Sequence, residues 1–374
     1  MLLNGWKKVK LGDVVKMSSG GTPSKDNASF WNGDIPWISA LEMHKNFVEE
    51  AKLNITEEAL KKGSSLAKKN DLLLLTRGSM LWKRIPVCLC LRDVAFNQDV
   101  KCLHTDKKLN STFLLYWFGC MEPKIMHMVV GTGIGAGKLE SSGILDLDVD
   151  LPPIEEQKKI AATLSVWDSA IEKMEKLIEA KESGHAVLMN EMLKNSKTWD
   201  CTCLSDIATI KKGKQLNAVD MISDGAYYVM NGGIAPSGNT DDWNTAENTI
   251  SISEGGNSCG FVAFNKEKFW AGGHCYTLID LNENISVRFL FHYLKNMEKE
   301  IMAMRVGSGL PNIQKDSISD IKVFYPSKKG QERISGVLDD SLSEIALLKQ
   351  QLENYKKQKQ GLMQKLLTGQ WRVK

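Results

Sequence analysis

Several things are missing or scarce in this chain, and each absence removes a class of protein. Eight cysteines occur in 374 residues without one Cys-x-x-Cys pair. Neither a zinc site nor a disulfide framework is therefore expected, and no metal site at all. Cys88 and Cys90, like Cys201 and Cys203, stand one residue apart and would point to opposite faces of a strand. No apolar run approaches the ~18 residues of a membrane span, and Met1-Leu2-Leu3-Asn4-Gly5-Trp6 lacks a secretory hydrophobic segment. The six histidines are scattered. There is no Gly-x-Ser-x-Gly, no His-Glu-x-x-His, no paired His-x-Glu and Cys-x-x-Cys set, and no methyltransferase signature. Net charge is only +3, which neither demands nor excludes a polyanionic partner. What is left is a reduced, cytoplasmic protein with no membrane partner and no catalysis of its own. Its 43% hydrophobic and 25% charged residues are those of a soluble globular chain.

What is present is a pair of long amphipathic stretches. After Leu151-Pro152-Pro153-Ile154-Glu155-Glu156-Gln157, a stripe runs through Ile160, Leu164, Trp167, Ile171, Met174, Ile178, Lys181, His185, Leu188 and Met192, to about Asn195. Its steps alternate four and three, the seam of a coiled coil. After Tyr325-Pro326 and Gln331 the stripe recurs through Ile334, Leu338, Ser341, Ile345, Leu348, Leu352, Tyr355, Lys359, Leu362 and Leu366. Every position has its counterpart at one fixed offset, and even the polar breaks line up, His185 with Lys359.

The duplication extends to what precedes each helix. Trp6, Leu11 and Asp13 stand in register with Trp199, Leu204 and Asp206. Both halves then show short β-type runs broken by glycine loops. Ile35 to Ser39, Asp71 to Ser79, Ile85 to Leu91 and Val94 to Asp99 make up the first set. Tyr227 to Gly233, Thr249 to Gly256, Gly260 to Phe264 and Cys275 to Ile279 make up the second. Each half closes with a helical segment, Ser111 to Met128 or Val287 to Met304. A glycine loop at Gly131-Thr132-Gly133-Ile134 or Gly307-Ser308-Gly309-Leu310 follows. A last strand, Leu145 to Leu151 or Ile321 to Tyr325, leads into the long helix. The predicted fold is α+β: two mixed α/β domains in an internal duplication, separated by two long helices that form an antiparallel coiled coil with approximate two-fold symmetry. The predicted boundaries are 1–153, 154–197, 198–329 and 330–374. At 1.5 Å per residue, paired helices of this length make a rod of ~55 Å.

The residues support contact with nucleic acid better than catalysis. Gly131 to Lys138 imitates a phosphate loop, but Thr132 and Leu139 stand where Gly and Ser/Thr are needed and a helix precedes it. A turn near a DNA or partner face fits better. Lys211, Lys212 and Lys214, with Gln215, surround a flexible glycine suited to phosphates; a solvated turn is the alternative. Thr76-Arg77 ends an apolar strand, from which an arginine could reach a guanine edge, or simply pair with a carboxylate. Asn97-Gln98 and Asn312-Ile313-Gln314 are amide-rich loops of the kind that read adenine, or cap local turns. Trp31, Trp37, Trp243 and Trp270 read as core, with base-stacking platforms the alternative.

Taken together, these residues resemble the specificity (S) subunit of type I restriction–modification systems. The resemblance rests on the duplicated architecture, on Leu151 to Gln157 at the helix start and on the closing Leu366-Leu367-Thr368-Gly369. Gly20-Gly21-Thr22-Pro23-Ser24 and Trp31 to Ile38 are similar to one class of target recognition domain. Asn231 to Gly238 and Ser253 to Gly260 are similar to another. The loops behind this resemblance, with Lys138 from the glycine turn, complete the DNA-contact candidates: Gly21, Thr22, Ser24, Asn231, Ser253 and Asn257. In the second copy Tyr325-Pro326-Ser327-Lys328-Lys329-Gly330-Gln331 departs from the usual Leu-Pro-Pro and lacks the glutamate before Gln. The resemblance implies that each domain reads one half of a split, asymmetric site in double-stranded DNA. The helices would then be a spacer and a dock for two methylation subunits, which bring S-adenosylmethionine. Restriction and motor subunits with ATP and Mg would join them, this chain holding no cofactor; self-association of the free chain stays open. The rival reading is a coiled-coil adaptor that binds proteins without touching DNA.

Overall fold

A computed structural model describes residues 5–133, 135–194, 198–307, 309 and 311–373. The predicted loop residues Ile134, Ser308 and Leu310 and the helix end at Asn195 lie outside these. The fold divides into two compact units: the chain up to Met174 with the stretch from Gln351, and Glu175–Gln350.

In the first unit Lys7–Lys10 pairs antiparallel with Asp148–Leu151, so the start and end of the domain close on each other. The central sheet orders Val15–Ser19, Val100–Thr105, Leu72–Leu75, Val87–Cys90 and Phe47–Val48. Leu72 to Leu75 are each 0% exposed, as an unbroken apolar run requires of a strand covered on both faces. A second sheet orders Asn54–Ile55, Ile35–Ile38, Val94–Phe96 and Ser65–Ala67.

The second unit repeats this plan. Asp200–Cys203 pairs antiparallel with Lys322–Tyr325. The central sheet orders Thr209–Lys212, Cys275–Ile279, Thr249–Ser253 and Val262–Asn265, all antiparallel. A smaller sheet orders Gly238–Thr240, Tyr227–Met230 and Trp270–Ala271.

The helices differ in detail from expectation. The segment predicted to reach Met128 ends at Met126. The one predicted to reach Met304 breaks into Val287–Asn296 and Glu298–Ala303, because Met297 leaves helical geometry at φ −90°, ψ 9°. The strand predicted from Leu145 begins at Asp148, since Ser141–Leu145 is a helical turn.

The long helices run Ile154–Met192 and Lys328–Leu367. All twelve apolar seam residues singled out, from Ile160 to Leu362, are buried or half-buried. In the first unit Ile160 and Leu164 pack with Leu362 and Leu366. Trp167 meets Tyr355 edge-on at 5.9 Å. In the second, His185 Nδ1 lies 3.1 Å from Ser341 Oγ and Lys181 Nζ 2.6 Å from Glu344. Within each unit the two helix segments therefore run antiparallel. The polar breaks are matched across the seam: Lys359 pairs with Asp168, which also accepts from Tyr116 Oη at 2.6 Å.

Each long helix is fastened at its start by a buried glutamine. Asn110 N donates to Gln157 Oε1 at 2.8 Å, and Gln157 Nε2 donates to the carbonyls of Lys108 (2.9 Å) and Pro152 (2.8 Å). Ser286 N donates to Gln331 Oε1 at 2.8 Å, and Gln331 Nε2 donates to the carbonyls of Asn284 (3.0 Å) and Pro326 (2.9 Å). Both glutamines are 0% exposed. The glutamate beside Gln157 makes contacts of its own, for Glu156 accepts Trp6 Nε1 and a bidentate pair from Arg372. Its counterpart position is Gly330, so the second copy keeps the glutamine joint and dispenses with the acid.

Candidate nucleic-acid interface

The candidate residues gather where the central strand of each unit ends. In the first, Leu72–Leu75 leads into Thr76, whose N and Oγ1 donate to Asp99 O at 2.8 and 3.0 Å. Leu139 N donates to Thr76 O at 2.9 Å. Arg77–Gly78 then pairs with Gly137–Lys138, Arg77 opposite Lys138. Gly137–Lys138 in turn pairs with Val130–Gly131. The glycine loop is thus a β-hairpin, not a phosphate cradle. A Cβ on Gly137 would come within 2.8 Å of Val129 Cγ1 and 3.0 Å of Leu81 Cβ, so the close pairing needs glycine there. Trp82 Nε1 donates to Gly135 O at 3.0 Å and braces the hairpin.

The second unit builds the same frame. Glu254 N donates to His274 O at 2.9 Å, and Ile313 N donates to Glu254 O at 2.8 Å. Asn312 bridges both Gly255 and Val306. By this register Glu254 stands where Thr76 does, His274 where Asp99 does, and Gly255 and Asn312 where Arg77 and Lys138 do.

The remaining candidates sort by exposure. Arg77 is exposed, with no side-chain hydrogen bond or ion pair among the described residues. Lys138 Nζ holds Glu140 at 2.6 Å. Gln98 is exposed and accepts from Thr22 Oγ1 at 2.6 Å, Ser24 is exposed, and Gly21 N donates to Phe96 O at 2.9 Å. Lys211, Lys214, Gln215, Asn257 and Gln314 are exposed. Asn231 Oδ1 accepts from His274 N at 3.4 Å, while Asn312 Oδ1 accepts from Gln314 Nε2 at 2.9 Å.

Four expectations need correction. Thr76, Asn97 and Ser253 are buried at 5%, 8% and 4% exposure and use their polar atoms inward. Thr76 bonds Asp99 O, Asn97 Oδ1 accepts from Asp99 N at 3.1 Å, and Ser253 Oγ donates to Gly232 O. They hold the strand end in shape. The lysines after Thr209 do not ride a flexible turn: Lys211 and Lys212 lie on strand Thr209–Lys212, and Gly213 N and Lys214 N donate to Cys275 O and Ala271 O. Lys212 Nζ pairs with Glu254 Oε1 at 2.5 Å.

Sequence reasoning missed Glu254, His274 and Tyr276 as a set. Tyr276 Oη donates to Glu254 Oε1 at 3.0 Å; burial, then this bond, pushes the phenol up to about 12. The available signal was a carboxylate closing an apolar strand. Of the tryptophans read as core, Trp37 is 8% exposed, but Trp243 is 45% exposed beneath Lys268 Nζ at 4.4 Å. Burial raises the thiols of Cys88, Cys102 and Cys275 to about 12, so they are packing groups, not nucleophiles. Among the described residues no cluster of His, Cys, Asp and Glu could hold a metal ion, and no helix is long and apolar enough to cross a membrane.

Comparison with known proteins adds the family context. The model of the type I restriction modification DNA specificity domain matches residues 4–182 and again 196–356. The type I restriction enzyme EcoR124I/EcoR124II specificity subunit of Escherichia coli is 31% identical over 166 residues, 44% of this chain and 41% of that one. That alignment spans less than half of the relative. The MjaIX specificity subunit of Methanocaldococcus jannaschii is 23% identical over 409 residues and covers 98% of this chain and 94% of its own. The fold is shared with a type I restriction–modification S subunit from M. genitalium, at a TM-score of 0.66 and 20% identity, covering 97% of this chain and 96% of that one.

Proposed function

The chain belongs to the type I restriction modification DNA specificity family, and from that premise we propose that its two units read the two halves of a split, asymmetric DNA sequence. One observation carries this reading. The same backbone ladder presents different side chains in the two copies, Arg77 and Lys138 in one, Gly255 and Asn312 in the other. Side chains at such a strand end meet base edges and phosphates, and a change of donor set changes the base that fits. Exposed Arg77 suits a guanine edge, and Lys211 and Lys214 suit phosphates.

The chain confers specificity and catalyses nothing. The long helices, with exposed Val166, Val187, Val337 and Leu347, dock two methylation subunits that carry S-adenosylmethionine. Restriction and motor subunits bring ATP and Mg and join for cleavage. The assembly works in the cytoplasm.

A gel-shift series on random and cognate duplexes across a range of salt, with and without methylation partners, tests the reading. A DNA reader shows a steep fall of log K with log salt, and each lysine neutralised lowers the slope by about one unit. A flat salt response would favour the protein-binding adaptor and remove DNA from the account.

A further inference from the structure

The end of strand Thr249–Ser253 carries a carboxylate that the fold leaves half satisfied. Glu254 is 8% exposed. Its Oε1 accepts from Lys212 Nζ and Tyr276 Oη, at 2.5 and 3.0 Å. Its Oε2 is buried with no hydrogen-bond partner among the described residues. A buried oxygen without a donor is destabilising, and its presence in a folded site calls for a reason. Facing it is His274, whose Nδ1 lies 3.6 Å away and whose side chain is 63% exposed. That distance is just outside hydrogen-bond range. One ring nitrogen therefore looks at the orphaned oxygen, and Nε2, across the ring, is left to the open surface.

We propose that His274 is a DNA-contacting, specificity-determining residue of the second unit. It donates Nε2–H to an acceptor on the duplex while Nδ1–H closes onto Glu254 Oε2. The acceptor is an anionic or lone-pair oxygen or nitrogen of DNA, either a phosphate oxygen or the N7/O6 edge of guanine. Glu254 is the positioning residue. This rests on the DNA-reading function proposed above and gives that site its second-unit chemistry.

The surroundings are built for access. Gly255, Gly272 and Gly273 flank the imidazole without side chains of their own. Asn231 Oδ1 anchors the His274 amide. Charged and titratable groups face the site from several elements. Glu254 at the end of one strand faces the ring, and Lys212 on a neighbouring strand holds the same carboxylate. Tyr276 stays protonated. More remotely, Arg305, Cys259 and Asp316 bear on this cluster with mixed sign.

The experiment measures the affinity of the full chain, assembled with its methylation partners, for cognate and random duplexes. His274→Gln, an exposed position that should leave the thermal melt unchanged, is expected to bind cognate DNA about tenfold less tightly. Glu254→Gln should weaken binding less, because the ring is still present. A loss on random and cognate duplexes alike assigns the acceptor to phosphate. A loss confined to the cognate duplex, and matched in wild type when 7-deazaguanine replaces guanine, assigns it to the base edge. Equal affinities of wild type and His274→Gln for cognate DNA would overturn the proposal while leaving the DNA-reading function intact. No binding of any duplex would overturn that function and this proposal with it.

Discussion

The strand end at Thr76 and the strand end at Glu254 are the same piece of backbone with different chemistry. Both accept an amide from the following segment, Leu139 N in one and Ile313 N in the other, and both donate to the strand opposite, at Asp99 or His274. The first copy closes with a neutral hydroxyl that is fully engaged and sets an arginine beside it. The second closes with a carboxylate, glycine replaces the arginine, and a histidine stands opposite. The backbone hydrogen bonds are common to both copies, so the side chains at the rim are free to differ. One copy sets a guanidinium at the strand end and the other an imidazole, and the two halves need not recognise alike.

The largest effect expected is a change of target. Exchanging Trp199 to Tyr325 for the same region of another family member should alter one half of the methylated sequence and leave the other untouched, as read by sequencing the methylation pattern. If both halves changed, the two strand ends would not be independent readers. Next in size is loss of the joint. Gln157→Ala and Gln331→Ala each strand buried backbone groups, and each should destabilise its unit by about 1–3 kcal/mol in chemical denaturation. Unequal losses would mean that the two joints are alike only in geometry.

Arg77→Ala should cost about 1–3 kcal/mol on cognate DNA and little on random DNA, while Asn312→Ala should weaken only the other half-site. Equal losses for Arg77→Ala on both duplexes would reduce it to a phosphate contact. The smallest effect concerns acid. His292, on Val287–Asn296, occupies the place of Tyr116 on Ser111–Met126, and its Nε2 lies 2.7 Å from Asp339 Oδ1. Burial lowers the His292 pKa, against the opposing pull of Asp339. A histidine whose folded pKa lies below its unfolded value is neutral and without effect at higher pH. It destabilises as pH falls below about 6.5, by at most about 1.4 kcal/mol per unit of lowering. Amide exchange in Val287–Asn296 should therefore quicken between pH 7.5 and 5.5, beyond intrinsic rates, by roughly tenfold or less, while Ser111–Met126 should not change. The same acceleration in both helices would assign acid sensitivity to something other than this histidine.

Much of the architecture was legible because it is periodic. The alternation of four and three from Ile160 to Met192, repeated from Ile334, gave both helices to within a few residues. The apolar run at Leu72 gave a central strand and the exposed arginine after it. What periodicity cannot carry is register. Glu254, His274 and Ile313 meet only through the pairing of segments far apart in sequence, and nothing local marks Lys212 as the partner of a buried carboxylate. The burial of Thr76 beside exposed Arg77 follows from strand alternation, yet Asn97 and Ser253 are enclosed by loops whose course no local pattern dictates. Met297 broke a helix that its apolar spacing would have continued.

The joint at Gln157 and Gln331 has a consequence for how such a protein can change. Its three hydrogen bonds in each copy all go to main-chain atoms, those of Lys108, Asn110 and Pro152 or of Asn284, Ser286 and Pro326. A fastening that grips only peptide groups is indifferent to the side chains of the part it grips. Any inserted module that brings its helix start and final strand to the same place would be accepted, whatever its sequence. The glutamine thus works as a standard coupling, and the cuts at which foreign modules join with least disturbance are predicted to lie just ahead of it, at Pro152 and Pro326.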